Sequence, residues 1–129
     1  MSESENVAVI RRFTGAFNRL DMDAVLADAD PDVVLKEWEE APDSRTHYGR
    51  DAVRAAVNTW LDTWEWMHVE IKELEEVGDR VRVTLHQRAK GIGSGIEVDF
   101  TTYNVYTFRD GKVIMLDLGL APNYDKEKA

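Results

Sequence analysis

Glu37 is the residue whose type and position most clearly favour acid–base chemistry. It lies in phase with Val33 and Leu35 at the end of a β-branched run. If that phase points inward, desolvation raises the pKa of its carboxyl group toward the range of a general base. Glu39 and Glu40 follow at once, which fits a strand that has already emerged into solvent equally well. The pattern leaves both orientations open.

Polar residues of the later segments pose the same question of orientation. In the segment 80–90, apolar side chains alternate with a polar set, which consists of Arg82, Thr84, His86 and Arg88. Such a set faces solvent in most half-exposed sheets, but it needs hydrogen-bond partners if helices cover that face. Asn104 is in phase with Tyr106 in the next segment. Asp117, between two leucines, is predicted to be either a buried polar residue or an interface residue.

Three other motifs predict no site. The histidines at 47, 68 and 86 match no zinc-binding spacing, so we expect no metal site. The glycine-rich segment 91–95 precedes a predicted strand, whereas a phosphate-binding loop needs a helix N-terminus there. Ser94 lacks the strand–turn–helix setting of an esterase nucleophile. We therefore interpret 91–95 as a bend between two strands.

The composition excludes several classes of function. The chain has 129 residues, which is the size of one domain. Its 16 Lys and Arg stand against 25 Asp and Glu, and the net charge of −9 argues against nucleic acid and anionic membranes as partners. The absence of cysteine excludes disulfides and cysteine-based metal sites. Because the sequence shows neither a targeting segment nor a long apolar run, we expect a cytoplasmic protein.

Hydrophobic periodicity predicts the elements that must position these residues. Apolar steps of three and four predict three helices, at 4–20, 22–29 and 50–67. Alternation and β-branched runs predict five strands, at 32–39, 68–77, 81–90, 96–108 and 112–120. The segment 42–49 is predicted to be a loop and 122–129 a frayed tail. Helices followed by antiparallel strands indicate a single α+β domain over 1–129, with the helices on one face of the sheet.

A set of short segments resembles the SnoaL-like branch of the nuclear-transport-factor-2-like (NTF2-like) superfamily. The similarity covers residues 6–120, and the segments that carry it are FTGAFN at 13–18, LDMD at 20–23, YGRDAV at 48–53, GDRV at 78–81, GSG at 93–95 and TFRDGKV at 107–113. Each segment is weak alone, but their order is specific for a fold. The superfamily includes polyketide cyclases, ketosteroid isomerases, epoxide hydrolases, dehydratases and proteins without known catalysis. The resemblance therefore does not specify an activity.

The resemblance implies a curved antiparallel sheet and about three helices that enclose a cone-shaped apolar cavity. It also implies a homodimer through the outer face of the sheet. In the family register, the residues that face the cavity are Arg82, Thr84, His86, Arg88, Asn104, Tyr106, Phe108, Leu116, Leu118 and Leu120. The residues that face the dimer partner in the same register are Val81, Val83, Leu85, Met115 and Asp117.

Carried over residue by residue, the catalytic pattern of the family is partial. Glu37 aligns with the carboxylate base of ketosteroid isomerases, and Asn104 with their oxyanion-hole acid, whose donor role an amide can take. Phe13 occupies the position of their oxyanion tyrosine and cannot donate, which argues against ketosteroid chemistry. The acids that epoxide hydrolases would need near Lys90 and at Leu118 are missing. A cyclase-type acid is likewise missing from the inward phase of the last strand.

Two functions from different classes fit these residues. The first is a cofactor-independent isomerase- or cyclase-type enzyme for a small apolar carbonyl compound, in which Glu37 abstracts a proton while Asn104 and His86 stabilise the oxyanion. Its ligand-binding residues would be Phe13, Phe17, Trp60, Arg88, Tyr106 and Leu118. The alternative is a non-catalytic small-molecule-binding protein or dimeric scaffold. A protein-interaction module that presents Trp38 or Trp66 is a third interpretation.

Overall fold

One six-stranded sheet carries the helices on a single face. The computed structural model describes residues 4–37 and 45–120. Its elements are, in chain order, α1 (Glu5–Asn18), α2 (Met22–Ala27), β1 (Ala29–Lys36), β2 (Thr46–Tyr48), α3 (Arg50–Leu61), β3 (Trp64–Val77), β4 (Arg80–Gly91), β5 (Glu97–Arg109) and β6 (Lys112–Leu120). The strand order is β2-β1-β6-β5-β4-β3, with β1 parallel to β6 and the other neighbouring pairs antiparallel. The α+β architecture predicted from the sequence is confirmed.

The hydrophobic core lies between the helices and one face of the sheet. In α1, the side chains of Val9, Ile10 and Phe13 recur at helical spacing and are buried in this core. The helix begins at a capping serine, Ser4, whose hydroxyl accepts a hydrogen bond from the Val7 N–H group. We call the sheet face turned toward the helices the inner face and the opposite face the outer face.

One row of directly paired residues defines the inner face. Across four neighbouring strands it runs through Leu35, Leu116, Tyr106 and Val81. All four side chains are buried in the core cluster. Because directly opposed residues of a sheet project to the same side, this row fixes the orientation of every residue in register with it.

The predicted orientation of β4 is wrong. Val81 lies opposite Tyr106 and Val83 lies opposite Asn104, so these residues share the inner face. Val81 and Val83 are accordingly buried in the core, together with Leu85. The polar set predicted to face the cavity projects from the outer face instead, namely Arg82, Thr84, His86 and Arg88. The physical reason is that the apolar set of an alternating strand is the one that packs against the helices.

The long helix predicted at 50–67 ends at Leu61. Asp62 and Thr63 form a turn, and β3 begins at Trp64. The apolar spacing of three and four continues to Trp64, which is why periodicity alone extends the helix. Residues 64–67 instead pair with β4, where Trp66 lies opposite Lys90, and these ladder hydrogen bonds override the helical pattern.

The predicted loop at 42–49 contains the short strand β2, which pairs with the end of β1. β1 itself starts at Ala29, three residues before the predicted strand, and it ends at Lys36. Within it, the pairing with β6 shifts register between Ala29 and Val34. The predictions that concern Trp38 and the tail 122–129 lie outside the described residues.

Candidate functional site

Glu37 and His47 form a hydrogen-bonded pair where β1 and β2 meet. The Nε2 atom of His47 lies 2.9 Å from Oε2 of Glu37. The other carboxylate oxygen, Oε1, accepts the backbone N–H of Arg45 at 3.1 Å. Both carboxylate oxygens are thus engaged, which fixes the orientation of the carboxylate and, through it, of the imidazole.

The short β1–β2 ladder positions His47 on the inner side of the sheet. His47 lies directly opposite Leu35, whose side chain is buried in the core. Gly49 then ends the ladder by donating its N–H to the carbonyl of Val33 at 2.7 Å. Its φ of 89° is a conformation that favours glycine, and it lets α3 start at the next residue. The side chains of His47 and Glu37 keep 21% and 37% of their surface exposed, so small molecules can reach both.

Asn104 is a buried polar residue on the inner face of β5. Its Oδ1 atom accepts the N–H of Gly119 at 2.9 Å, at a place where the pairing of β5 and β6 shifts register. Gly119 has a φ of 66°, which suits a glycine in such a bulge. Because the carbonyl oxygen is used in this way, the amide nitrogen of Asn104 is directed away from β6 as a donor.

A buried phenol lies next to this amide. Burial raises the pKa of the Tyr106 hydroxyl to about 12. A hydrogen bond with the Asn104 side chain acts in the opposite direction and lowers this pKa. The Tyr106 ring meets Phe13 edge to face, with the ring centroids 5.6 Å apart. A hydroxyl donor is therefore present beside Phe13, although Phe13 itself carries none. It comes from β5 rather than from α1.

Glu37 and Asn104 occupy the same row of the inner face. Lys36 pairs with Asp117, which sets Glu37 beside Leu118. On the other side of β6, the two chain neighbours of Asn104 pair with β6 residues that flank the segment 118–119. Asn104 itself therefore faces this segment. Two strand spacings therefore separate Glu37 from Asn104, or about 10 Å. Leu118, which is partly buried against the core, occupies the middle position of this row.

A family model supports the resemblance seen in the sequence. The model of the SnoaL-like domain matches residues 10–115, which is most of the chain. The chain belongs to the SnoaL-like domain family. No curated protein is similar enough to count as a relative.

Solved structures share the fold of this SnoaL-like domain. An NTF2-like protein of unknown function from Burkholderia pseudomallei is 25% identical, with a TM-score of 0.82 and 92% of each chain covered. TerC, co-crystallized with polyporic acid, is 21% identical with a TM-score of 0.81, and the match covers 96% of this chain and 97% of TerC. A candidate SnoaL-like polyketide cyclase from Jannaschia sp. CCS1 is 17% identical with a TM-score of 0.81, over 92% of this chain and 89% of that one. These likenesses confirm the NTF2-like fold.

His86 and Arg88 do not join this row in the SnoaL-like domain. On the outer face, the Nε2 atom of His86 is hydrogen-bonded to Asp99, and Arg88 lies opposite Asp99 in the ladder. Glu70 faces His86 from β3, and its pKa is lowered chiefly by a hydrogen bond from Lys72. The expected convergence of Glu37, Asn104 and His86 is therefore wrong for His86, because the sheet lies between them.

The other predicted ligand-binding residues are spread over the inner side. Phe13 and Tyr106 are buried, and Phe17 is a partly buried residue packed against the core. Trp60 lies at the end of α3 with 43% of its surface exposed, and it forms an edge-to-face pair with Trp64. Asp117 projects from the outer face, where it forms an ion pair with Lys36 at 3.8 Å.

Sequence reasoning missed His47 as a partner of Glu37. It considers His47 only as a metal ligand and places it in a loop. The signal that identifies His47 is its position two residues before Gly49, the residue that precedes α3. Within the described part of the chain, no group of three His, Asp or Glu side chains is arranged to hold a metal ion. Among the same residues, no helix is both long and apolar enough to cross a membrane.

Proposed function

We propose that this SnoaL-like domain is a general acid–base enzyme that abstracts a proton next to the carbonyl group of a small apolar compound. The observation that carries the proposal is the Glu37–His47 pair on the inner side of the sheet. Within the described residues, the Nδ1 atom of His47 has no hydrogen-bond partner. His47 is therefore the base, and Glu37 is a positioning residue that orients the imidazole and stabilises its protonated form.

Asn104 stabilises the enolate in this proposal. Its oxygen is bound to Gly119 and its amide nitrogen donates one hydrogen bond to the Tyr106 hydroxyl, so the second N–H of this amide is the donor to the enolate. Donors aimed at a developing oxyanion commonly contribute two or three orders of magnitude in rate. Tyr106 supports Asn104 from the same strand, and Glu37 lies two strand spacings, or about 10 Å, away on the same face. His86 has no part in this chemistry.

The ligand class is supported by the surroundings and by a relative. Leu118, in the row of Glu37 and Asn104, and Phe17 of α1 are apolar side chains packed against the core. TerC, which shares the fold, is co-crystallized with polyporic acid, which supports a small-molecule ligand here. We also retain the homodimer as a proposal, since the described helices leave the outer face of the sheet uncovered. The cytoplasmic localisation stays a prediction from the sequence.

Exchange of the α-protons of 2-tetralone in deuterated water tests the proposal. We expect the enzyme to accelerate the loss of these proton signals, and His47→Gln to lower the rate about 100-fold or more, because a positioned base contributes that much. Glu37→Gln should lower the rate less and shift its pH profile, since it leaves the imidazole in place. His86→Gln is the matched control, because it breaks a histidine–carboxylate pair on the outer face.

Three outcomes separate the explanations. An equal loss in His86→Gln would contradict the assignment of the site to the inner face. Unchanged exchange in His47→Gln would rule out His47 as the base. Binding of 2-tetralone without exchange above the buffer rate would favour the non-catalytic binding protein instead.

A further inference from the structure

A groove lies between α1 and the free edge of the sheet. β3 is the last strand in the sheet order, and among the described residues it pairs with β4 alone. The groove has a volume of about 470 Å³, and its walls are Val7 and Arg11 of α1 together with Glu76 and the segment 71–74 of β3. This volume is in the range of ligand-binding clefts, which is about 300–1,000 Å³. The groove lies at the opposite edge of the sheet from His47, so it is separate from the proposed acid–base site.

The side chain of Asn18 shows that this edge of the sheet binds amide groups. Its Nδ2 atom donates to the carbonyl oxygen of Val69 at 2.8 Å, and its Oδ1 atom accepts the N–H of Val69 at 2.9 Å. A residue of a neighbouring antiparallel strand forms the same two hydrogen bonds. Asn18, at the end of α1, therefore takes the place of a strand at one position of the edge.

The backbone of β3 keeps this orientation along the groove. Because Val69 directs its N–H and C=O groups toward Asn18, its ladder partner Gln87 directs its own groups toward β5, and so does every second residue of β4. The β3 residues opposite this set direct their backbone groups to the free edge, and those that line the groove are Ile71, Leu74 and Glu76. The spacing of three between the first two reflects the register shift between Ile71 and Glu73. The groove therefore offers three residues whose N–H and C=O groups can pair with an added strand.

The two faces of this edge differ in the chemistry of their side chains. On the inner face, Ile71 and Leu74 are partly buried and packed against the core. On the outer face, the exposed side chains of Glu70, Glu73 and Glu75 lie opposite the outer-face residues of β4. Residues 70–77 carry four Glu and one Lys, so this edge is negatively charged. Because facing side chains on adjacent strands interact directly, the edge is complementary to a strand with apolar residues on one face and cations on the other.

We propose that the groove binds an extended segment of a partner protein in which apolar residues alternate with lysine or arginine, and that this segment adds a strand to β3. Hydrogen bonds to the edge supply affinity, and the alternating side chains supply specificity. Asn6, which donates to Glu76 at 3.5 Å, lies 12 residues before Asn18 on α1. Twelve helical residues advance about 18 Å, which is the length of about five or six residues of extended chain. A segment of that length fills the groove between these two contacts.

A second copy of this chain is a poor occupant of the same edge. Pairing of β3 with β3 across a twofold axis brings the glutamates of the two copies together. Like charges on adjacent strands destabilise such a pair. A cationic partner lacks this disadvantage. Because the occupant is a segment of another protein, the inference goes beyond the small-molecule chemistry proposed above.

Titration of the ¹⁵N-labelled protein with the acetylated and amidated pentapeptide KVKVK tests this inference. We expect the amide resonances of Ile71 and Leu74 to shift, and the hydrogen exchange of these two N–H groups to slow about tenfold or more at saturation, because they lie on an unpaired edge in the free protein. The acidic peptide EVEVE should bind about tenfold more weakly, and added salt should weaken the binding of KVKVK. N-methylation of the two valines blocks one edge of the peptide, and N-methylation of the three lysines blocks the other. One of these analogues should lose about tenfold in affinity, the usual effect of one hydrogen bond, while the other keeps it.

Charge reversal on β3 tests where the peptide binds. Glu73→Lys should weaken the binding of KVKVK about three- to tenfold and strengthen the binding of EVEVE. Glu97→Lys is the matched control, because Glu97 is an exposed residue of β5 that lies opposite Lys90, outside the groove. It makes the same change in net charge and should leave the affinity for both peptides unchanged.

Several results would overturn the proposal. Equal affinities for KVKVK and EVEVE, or for the two N-methylated analogues, exclude pairing of a cationic strand with β3. Equal effects of Glu73→Lys and Glu97→Lys, or unchanged Ile71 and Leu74 amides at millimolar KVKVK, exclude binding in the groove. If the exchange of these two N–H groups in the free protein slows as the protein concentration rises, β3 of a second copy occupies the edge instead, and the proposed partner is wrong.

Discussion

Replacing Val83 by alanine tests which face of the sheet packs against the helices. Val83 is 1% exposed and lies between Leu74 on β3 and Asn104 on β5. The substitution removes two methyl groups, which corresponds to about 1.6 kcal/mol of transfer free energy at 0.8 kcal/mol for each group. The cavity left behind adds to this, so we expect a loss of about 2–3 kcal/mol in the free energy of unfolding.

Thr84→Ala is the matched control for this substitution. Thr84 is the next residue of β4, projects from the outer face and is half-buried. Its replacement should cost about 0.5–1 kcal/mol, mainly through lower strand propensity. Urea unfolding followed by tryptophan fluorescence gives both values, and the thermal midpoint of Val83→Ala should fall by about 8 °C for a chain of this size.

The two variants together decide the orientation of β4. Equal losses, or a larger loss for Thr84→Ala, would refute the inner position of Val83. They would also restore the orientation that the sequence resemblance implied, with His86 toward the cavity. An unchanged urea m-value in both variants is required, because a change in m would mean that the compactness of one state had changed.

Two further predictions concern the buried phenol and the outer face. Because burial raises the pKa of Tyr106 to about 12 from 10.0, the unfolded chain ionises first. The neutral phenol of Tyr106 therefore contributes to the free energy of unfolding below pH 10, and this contribution is lost as the pH rises to 12. In alkaline urea titrations, Tyr106→Phe should lack this part of the decline in the free energy of unfolding. On the outer face, Thr84→Lys should convert the proposed homodimer to a monomer in sedimentation velocity, and an unaltered profile would contradict the interface.

Much of the fold could be predicted from local patterns because those patterns report burial. The stripe of Val9, Ile10 and Phe13 identifies α1 and its buried face directly. The turns at 78–79 and 110–111 separate strands whose alternation is regular. These features depend on neighbours in sequence, so they are visible in one chain.

The orientation of β4 was missed because it depends on pairing. The alternation within β4 separates its residues into two sets, but it does not show which set faces the helices. The ladder with β5 decides this, since Val83 lies opposite Asn104. The family register places Asn104 and Val83 on opposite faces, which the antiparallel pairing does not allow. The apolar set of β4 alone would have given the correct answer.

The site was predicted only in part for a similar reason. Glu37 and Asn104 are in phase with apolar neighbours, which leaves their orientation open within a single strand, and the family resemblance supplies their inner positions. His47 lies in a three-residue strand that is too short to show alternation, and it meets Glu37 only because β2 folds back on β1. Trp64 was assigned to a helix, where its indole would have had different neighbours. Both residues depend on contacts between segments.

The two histidine–carboxylate pairs among the described residues differ in their surroundings rather than in their chemistry. His47–Glu37 and His86–Asp99 each join an imidazole Nε2 to a carboxylate oxygen. Asp99 keeps 65% of its side chain exposed on the outer face, so water screens that pair. In the inner pair, a backbone N–H holds the second oxygen of Glu37, and the imidazole lies opposite Leu35 of the core. Fixed geometry beside an apolar surface is what proton abstraction from an apolar carbonyl compound requires, and this favours the inner pair for the proposed reaction.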